Sequence, residues 1–215
     1  MAGWLNTSFF EFDRALFVFA HNLFLGAGNL LTPLFKAITF LGNGGWFFIV
    51  LGIVLLLFKK TRKTGVALLL SIACGAIFTN LILKNSVARL RPYVANEEYR
   101  SFWQSVGGKI ESEYSFPSGH TTVTMASMMA IFLSSNKKWS WLGFVFAIIM
   151  GLTRIYFTVH YATDVIAGLI VGALAGGIGY YLLKIIFNAI EINSDNKFCH
   201  FILNADITKL FRKSK

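Results

Sequence analysis

An all-α fold, a polytopic bundle of about six membrane-spanning helices, is what this sequence predicts, and three observations predict it. Of its 215 residues, 55% are hydrophobic and only 14% are charged, against about a quarter charged in a soluble domain. The mean hydropathy is +0.61. The apolar residues gather into six segments, and the basic residues, 20 Lys and Arg against 10 Asp and Glu for a net charge of +10, gather mostly between them. Such a chain is too apolar to stay disordered and too poor in charge for an ordinary soluble enzyme. A basic excess on so apolar a chain marks the cytoplasmic rim of membrane helices rather than a nucleic-acid partner. The length fits one domain: a transmembrane domain over residues 1–190 and a polar cytoplasmic tail over 191–215.

The first segment, Ala15 to about Phe35, is interrupted by His21, Asn22, Asn29 and Pro33. It fits either a span or an amphipathic helix lying in the interface. Glu11 and Asp13 precede it in place of a basic leader, so no cleavable signal peptide is expected. Trp46 to Phe58 has 13 residues, short of the ~20 that the hydrocarbon core requires. It is expected to begin near Leu41, in the Leu41-Gly42-Asn43-Gly44-Gly45 turn, or to lie where the bilayer is thin. Val66 to Leu83, His120 to Leu133, Trp139 to Phe157 and Val165 to Phe187 complete the set. Pro117-Ser118 reads as the start of the fourth. Gly168, Gly172 and Gly176, spaced by four, suit close packing of the last. Ile192 to Lys215 mixes polar and apolar residues and fits a short amphipathic helix. Two cysteines, Cys74 and Cys199, are too few for a disulfide framework or a four-cysteine zinc site and read as free thiols.

Orientation follows from the basic residues between segments. In an alternating six-span arrangement, one face holds thirteen: Arg14, Lys59, Lys60, Arg62, Lys63, Lys137, Lys138, Lys184, Lys197, Lys209, Arg212, Lys213 and Lys215. The other holds seven: Lys36, Lys84, Arg89, Arg91, Arg100, Lys109 and Arg154. The richer face is expected to be cytoplasmic, with both termini inside, in a cell membrane. The hydrophilic stretch Lys84 to Pro117 then faces outward. It carries Glu97, Glu98, Glu111 and Glu113 among Tyr93, Tyr99, Phe102, Trp103, Tyr114 and Phe116, aromatic rings that rest at headgroup level.

Three clusters of ionisable residues fall on that outer face, where a charge near lipid is kept only for a reason or at a wet edge. In the first, Lys84 and Arg91 are seven apart and share one side if the helix continues to Arg91. Two converging cations need an anion between them; the plain alternative is a pair of snorkelling interface anchors. The second is Phe116-Pro117-Ser118-Gly119-His120. Free backbone N–H groups, the Ser118 hydroxyl and the helix dipole point there toward an anion site, Gly119 allows close approach, and His120 is placed to exchange protons. Its plain alternative is an N-cap beside an incidental histidine. The third holds Thr153-Arg154, His160 and Asp164. One turn separates His160 from Asp164, so in a helix the carboxylate accepts from one ring nitrogen and leaves the other unprotonated. Arg154 supplies a planar fork suited to phosphate oxygens; a structural His–Asp pair with a snorkelling arginine is the alternative. Together the clusters describe a phosphoryl-transfer site. Gly-rich nucleotide loops, Cys–His metal spacing and paired catalytic carboxylates are absent from the sequence.

Lys84-x6-Arg91-Pro92, Pro117-Ser118-Gly119-His120 and Arg154-x5-His160-x3-Asp164, in this order, resemble the three-part motif of the type 2 phosphatidic acid phosphatase family. With the connecting spans the resemblance covers Leu41 to Phe187, and Thr39-Phe40-Leu41-Gly42 looks like the family's segment ahead of the motifs. It implies a six-helix membrane phosphatase that needs no metal or other cofactor, with its site at the extracytoplasmic edge. By resemblance His160 is the nucleophile that forms a phosphohistidine, and Asp164 orients and polarises it. His120 is the acid for the leaving group, then the base for water. Lys84, Arg91, Ser118, Gly119 and Arg154 hold the phosphoryl oxygens. Thr153 stands where the family commonly has Ser, and Leu90 where it often has Pro. The implied partners are the bilayer and a lipid whose phosphate lies at headgroup level: undecaprenyl diphosphate first, phosphatidylglycerophosphate or phosphatidic acid as alternatives. A lipid phosphotransferase built on the same phosphohistidine is a second enzyme reading. A non-catalytic channel, transporter or scaffold is a different class. Vanadium haloperoxidases share the residue pattern by resemblance but are soluble.

Overall fold

Among the described residues, 1–209 of this computed structural model, every regular element is helical. In chain order they are α1 (Ala2–Ser8), α2 (Phe10–Gly42), α3 (Trp46–Leu56), α4 (Arg62–Ala76), α5 (Lys84–Val87), α6 (Pro92–Ala95), α7 (Glu97–Ser105), α8 (Gly119–Ser134), α9 (Lys137–Ser140), α10 (Leu142–Tyr156), α11 (Ala162–Ile192) and α12 (Lys197–Asn204). A π-helical stretch, Ile77–Leu83, joins α4 to α5. Arg212, Lys213 and Lys215, used above for orientation, lie outside the described residues.

Among the described residues, four stretches are long and apolar enough to cross a membrane: Phe10–Leu56, Arg62–Ala95, Lys137–Tyr156 and Ala162–Ile192. Between the second and third runs α8, whose 16 residues span about 24 Å. The rods α3, α4 with its π-helical extension, α8, α10 and α11 run back and forth between two ends of the bundle. The glycine spacing in α11 does what the sequence suggests. A Cβ on Gly168, Gly172 or Gly176 would stand 2.9, 2.6 or 3.0 Å from the carbonyl oxygens of Ser118, Thr122 and Ala126, so α11 lies backbone to backbone along α8. At one end, far from the three motifs, Arg62 donates to the Leu56 and Ile202 carbonyls, Lys59 donates to Asn204, and Ile207 N–H donates to the Leu57 carbonyl. Helix α12 and the residues up to Ile207 therefore close that end.

Helix α2 lies across the opposite end. Asp13 accepts from the Thr163 backbone N–H, Thr32 and Tyr156 hydroxyls meet at 2.6 Å, and Arg154 donates to Thr39. Phe17 packs on Tyr99, and Phe24 on both Phe102 and Tyr156. All of these partners sit at the ends of α10 and α11 or on the loop between α5 and α8. A straight helix from Asp13 to Thr39 would be about 39 Å long; α2 instead bends at Ala27, whose φ is −143°. Its outer face leaves Leu25, Leu30, Leu34 and Phe40 exposed, the pattern of a helix lying in an interface. Six alternating passes with both termini on one face do not describe these contacts. The first segment lies across the motif end, and the two ends of the described chain sit at opposite ends of the bundle: Asn6 accepts from Arg89 at the motif end, while Asn204 meets Lys59 at the other.

The second apolar segment also starts later than its length suggests. Gly44 and Gly45, at φ of 56° and 70°, take the left-handed conformation that a side chain resists, and α3 begins only at Trp46, after that turn.

Candidate active site

The first motif does not stay helical. Ala88 turns left-handed at φ 51°, and Arg91 is extended (φ −71°, ψ 151°), as a residue before proline prefers. The shared helix face expected for Lys84 and Arg91 is thus absent. They converge through tertiary structure instead: both line one cavity. Arg91 is held there by donating from Nε to the Glu113 carbonyl and from Nη1 to the Val159 carbonyl. Leu90 points outward, while Arg89 and Arg91 on either side are buried.

In the second motif Ser118 occupies the position before α8, but its side chain caps nothing. Its hydroxyl accepts from Thr121 Oγ1 at 2.9 Å, and its backbone N–H donates to the Asp164 carbonyl at 3.0 Å. The first-turn N–H groups that a helix start orphans are therefore not taken by a serine cap. Gly119 lies beside Lys84, whose Nζ would be 3.9 Å from a Cβ placed there. His120 Nε2 is 2.8 Å from Asn43 Oδ1 in the turn before α3.

The third motif straddles the break between α10 and α11. Thr158 sits at φ 54°, an uncomfortable conformation for a β-branched residue. It is tied by its own N–H to Ile155 and by the following two N–H groups, those of Val159 and His160, to the Arg154 carbonyl. That turn carries His160 inward until it is 3% exposed. Arg91 Nη1 lies 3.2 Å from His160 Nε2. A guanidinium only donates, so Nε2 is the accepting, unprotonated nitrogen and Nδ1 carries the proton. Nδ1 faces Ser115 Oγ at 3.4 Å, and Ser115 in turn donates to Asp164 Oδ2 at 2.5 Å. The direct His160–Asp164 separation is 3.6 Å, so the serine hydroxyl bridges the pair expected to touch. Burial holds the imidazole well below its ordinary value, and the charges of Arg91, Arg154 and Lys84 act in the same direction.

A cavity of about 330 Å³ gathers Lys84, Arg91, Gly119, His120 and His160. Three of the expected residues do not line it. Asp164 stands behind His160. Ser118 is fully buried beneath the helix start. Arg154 faces an adjoining cavity of about 150 Å³ with Lys36, Thr39 and Lys109. Between the two cavities stands Glu111, paired with Arg154 and 3.7 Å from Arg91. Glu113 pairs with Lys84. Each expected phosphate-holding cation thus carries a carboxylate from one short loop. The sequence puts these glutamates on the outer face and assigns them no partners; the signal for partners is the convergence of cations, which demands an anion. Nor does it assign roles to Arg89, Asp13, Ser115 or Asn43.

The sequence profile of the PAP2 superfamily matches residues 64–187. The chain is 35% identical over 122 residues to an undecaprenyl-diphosphatase of Sulfolobus acidocaldarius, covering 56% of this chain and 55%, about half, of that relative. It is 30% identical to a lipid A 4'-phosphatase of Porphyromonas gingivalis over 74% of this chain and 70% of the other. The fold is that of the crystal structure of a transmembrane PAP2 type phosphatidylglycerolphosphate phosphatase from Bacillus subtilis, with a TM-score of 0.61 over 88% of this chain and 91% of that one at 23% identity.

Proposed function

The chain belongs to the PAP2 superfamily of membrane lipid phosphatases, and on that premise we propose that it hydrolyses a lipid diphosphate, undecaprenyl diphosphate first, through a phosphohistidine on His160. The observation that carries this reading is the His160 ring: its unprotonated Nε2 is turned to Arg91 at the wall of a cavity that Lys84, Gly119 and His120 also line. Nε2 attacks phosphorus, the P–O bond to the lipid side breaks, and His120 gives the departing oxygen its proton. Water then attacks the phosphohistidine, His120 takes its proton, and inorganic phosphate leaves with the free imidazole restored. Lys84, Arg91 and the N–H groups at Gly119 hold the phosphoryl oxygens, Arg154 joins them once Glu111 is displaced, and no metal takes part. Asp164 acts on His160 from behind.

A lipid with its phosphate at headgroup level suits a site covered by a lying amphipathic helix and an aromatic loop. One of the two relatives named above acts, by its name, on undecaprenyl diphosphate, which supports that lipid first; the other, a lipid A 4'-phosphatase, supports only a lipid-borne phosphate, and phosphatidylglycerophosphate and phosphatidic acid are the alternatives. The basic loops Lys59–Lys63 and Lys137–Lys138 lie at the end away from the motifs, so that end is cytoplasmic. The site and the N-terminus then face outward, and residues 191–209 lie inside. The test is release of inorganic phosphate by the detergent-solubilised chain with EDTA present, over a panel of undecaprenyl diphosphate, phosphatidylglycerophosphate and phosphatidic acid. Undecaprenyl diphosphate should turn over fastest, and His160→Ala should abolish turnover. Full activity in that variant would remove His160 as nucleophile.

A further inference from the structure

The family match begins at residue 64, yet part of what holds the Asp164 carboxylate comes from earlier in the chain. Asp164 is 0% exposed, and both its oxygens are engaged. Oδ2 accepts from Ser115 Oγ and, at 2.9 Å, from the Tyr161 N–H; Oδ1 accepts from Arg89 Nη1 at 2.6 Å. Arg89 is itself 1% exposed. Its Nη1 also donates to Thr163 Oγ1, its Nη2 donates to Asp13 Oδ2 at 2.8 Å, its Nε donates to Asn6 Oδ1 at 2.8 Å, and its face lies 3.8 Å from the Tyr161 ring centre. Asp13, on α2, closes the network by accepting from the Thr163 backbone N–H and hydroxyl. Each of the three guanidinium nitrogens has a fixed partner, and Arg89 does not line the cavity that His160 lines.

We propose that Arg89 and Asp13 are positioning residues for the reaction inferred above, so that the N-terminal helix forms part of the active site. Asp13 holds Arg89, Arg89 holds Asp164, and Asp164 with Ser115 fixes the His160 ring with Nε2 toward the cavity. The network also sets a charge. Arg89 alone would neutralise Asp164; with Asp13 added, two carboxylates face one guanidinium, and one negative charge remains behind the ring. When Nε2 bonds to phosphorus, the imidazole keeps its Nδ1 proton and becomes cationic. A net negative charge behind it favours that state over the neutral resting ring, which is a contribution to the transition state rather than to substrate binding. Direct contact with substrate is not required, and none is built: the network sits on the side of His160 away from Arg91.

This inference rests on the phosphohistidine reading, and the experiment separates the two. The full-length chain in detergent is compared with Asp13→Asn, which keeps the shape and one accepting oxygen and removes the charge. Folded protein is quantified by size exclusion and thermal unfolding. Outer-shell partners of a reactive group cost roughly 10–100-fold when removed, as at metal centres. The expected result is a fall of about that size in kcat per folded molecule, with KM within about twofold, because the lost interaction belongs to the transition state alone. A purely structural clamp would lower the folded fraction and leave kcat per folded molecule unchanged, and that result overturns the proposal, as does a rise in KM at constant kcat. If Asp13→Asn does not fold, Asn6→Ala replaces it: Asn6 touches the network only through Arg89 Nε, and the same selective fall in kcat, smaller in size, is expected. An unchanged kcat there is equally decisive. Wild-type protein that releases no phosphate from any lipid removes the phosphatase reading and this inference with it; an active wild type with an indifferent Asp13→Asn removes this inference alone.

Discussion

Two groups of ion pairs sit within a few residues of each other in this molecule, and they are built on opposite plans. Around Arg89 the side chains are 1% exposed for the arginine, 4% for Asp13 and 0% for Asp164, and all three come from regular elements or the segment linking them. Around Lys84, Arg91 and Arg154 the cations are also buried, but their carboxylates are not: the Glu113 side chain is 57% exposed and that of Glu111 31%. Those glutamates ride on the loop before Pro117, outside any helix. Desolvated pairs held from all sides cannot exchange partners without leaving a bare charge in a dry interior. Pairs with one wet partner can, because water takes over the departing carboxylate. The first group is therefore architecture that reaches the chemistry through His160. The second is a set of cations whose resident anions a phosphate can replace.

The largest effect that tests this division is on stability. Arg89→Ala leaves Asp13 and Asp164 buried with no countercharge, and breaking a buried pair in this way costs about 3–5 kcal/mol. Thermal unfolding in detergent should show the loss directly. Glu111→Gln and Glu113→Gln should move the same transition by no more than about 1 kcal/mol, the range of partly exposed pairs. If the glutamate variants unfolded as early as Arg89→Ala, the two groups would not differ in kind.

Much of the second group was legible in the sequence and little of the first. Lys, Arg and His are conspicuous in an apolar chain, and their positions near the ends of apolar runs, with Pro-Ser-Gly-His at a helix start, carry the chemistry on their face. The sequence could also say that α2 is amphipathic. It could not choose between crossing and lying down, because the same run of apolar residues serves for both. What decides is the pairing of Thr32 with Tyr156 and of Thr39 with Arg154, 124 and 115 residues away. Arg89 and Arg91 are two residues apart and alike in type, yet one meets Asp13 and the other His160. Nothing local distinguishes them, since the difference lies in what α2 and α11 bring up to each. The break at Ala88 was hidden for the same reason, apart from the proline after Arg91, which signals that the helix has already ended.

The middle-sized prediction concerns the exchangeable carboxylates. If Glu111 and Glu113 occupy the cations until substrate arrives, neutralising them removes a competitor. Glu111→Gln with Glu113→Gln should bind inorganic phosphate more tightly, with the inhibition constant falling by about tenfold, the equivalent of roughly 1.4 kcal/mol, and the KM for lipid falling with it. Product inhibition measured against lipid substrate reads both numbers. Weaker phosphate inhibition would mean that the glutamates help to hold the phosphate site rather than fill it.

The smallest effect is on the pH profile, and it links the two groups through the residue between them. His160 attacks only when Nε2 is unprotonated, so activity falls as pH drops through its pKa. Burial and the surrounding cations set that pKa well below 6.5, which places the acid limb of kcat/KM well below that pH as well. Removing a negative charge on either side of the ring disfavours the protonated form further. Asp13→Asn and Glu111→Gln should therefore both move the acid limb down, by less than about one unit. They part company in size and in salt. The Asp13 effect acts through a dry interior and should persist at high ionic strength, whereas the Glu111 effect, at a half-wet pair, should shrink as salt screens it. A wild-type acid limb at or above pH 6.5 would mean that the group being titrated is not a buried imidazole ringed by cations. Equal salt sensitivity in the two variants would mean that the buried network is as open to solvent as the loop.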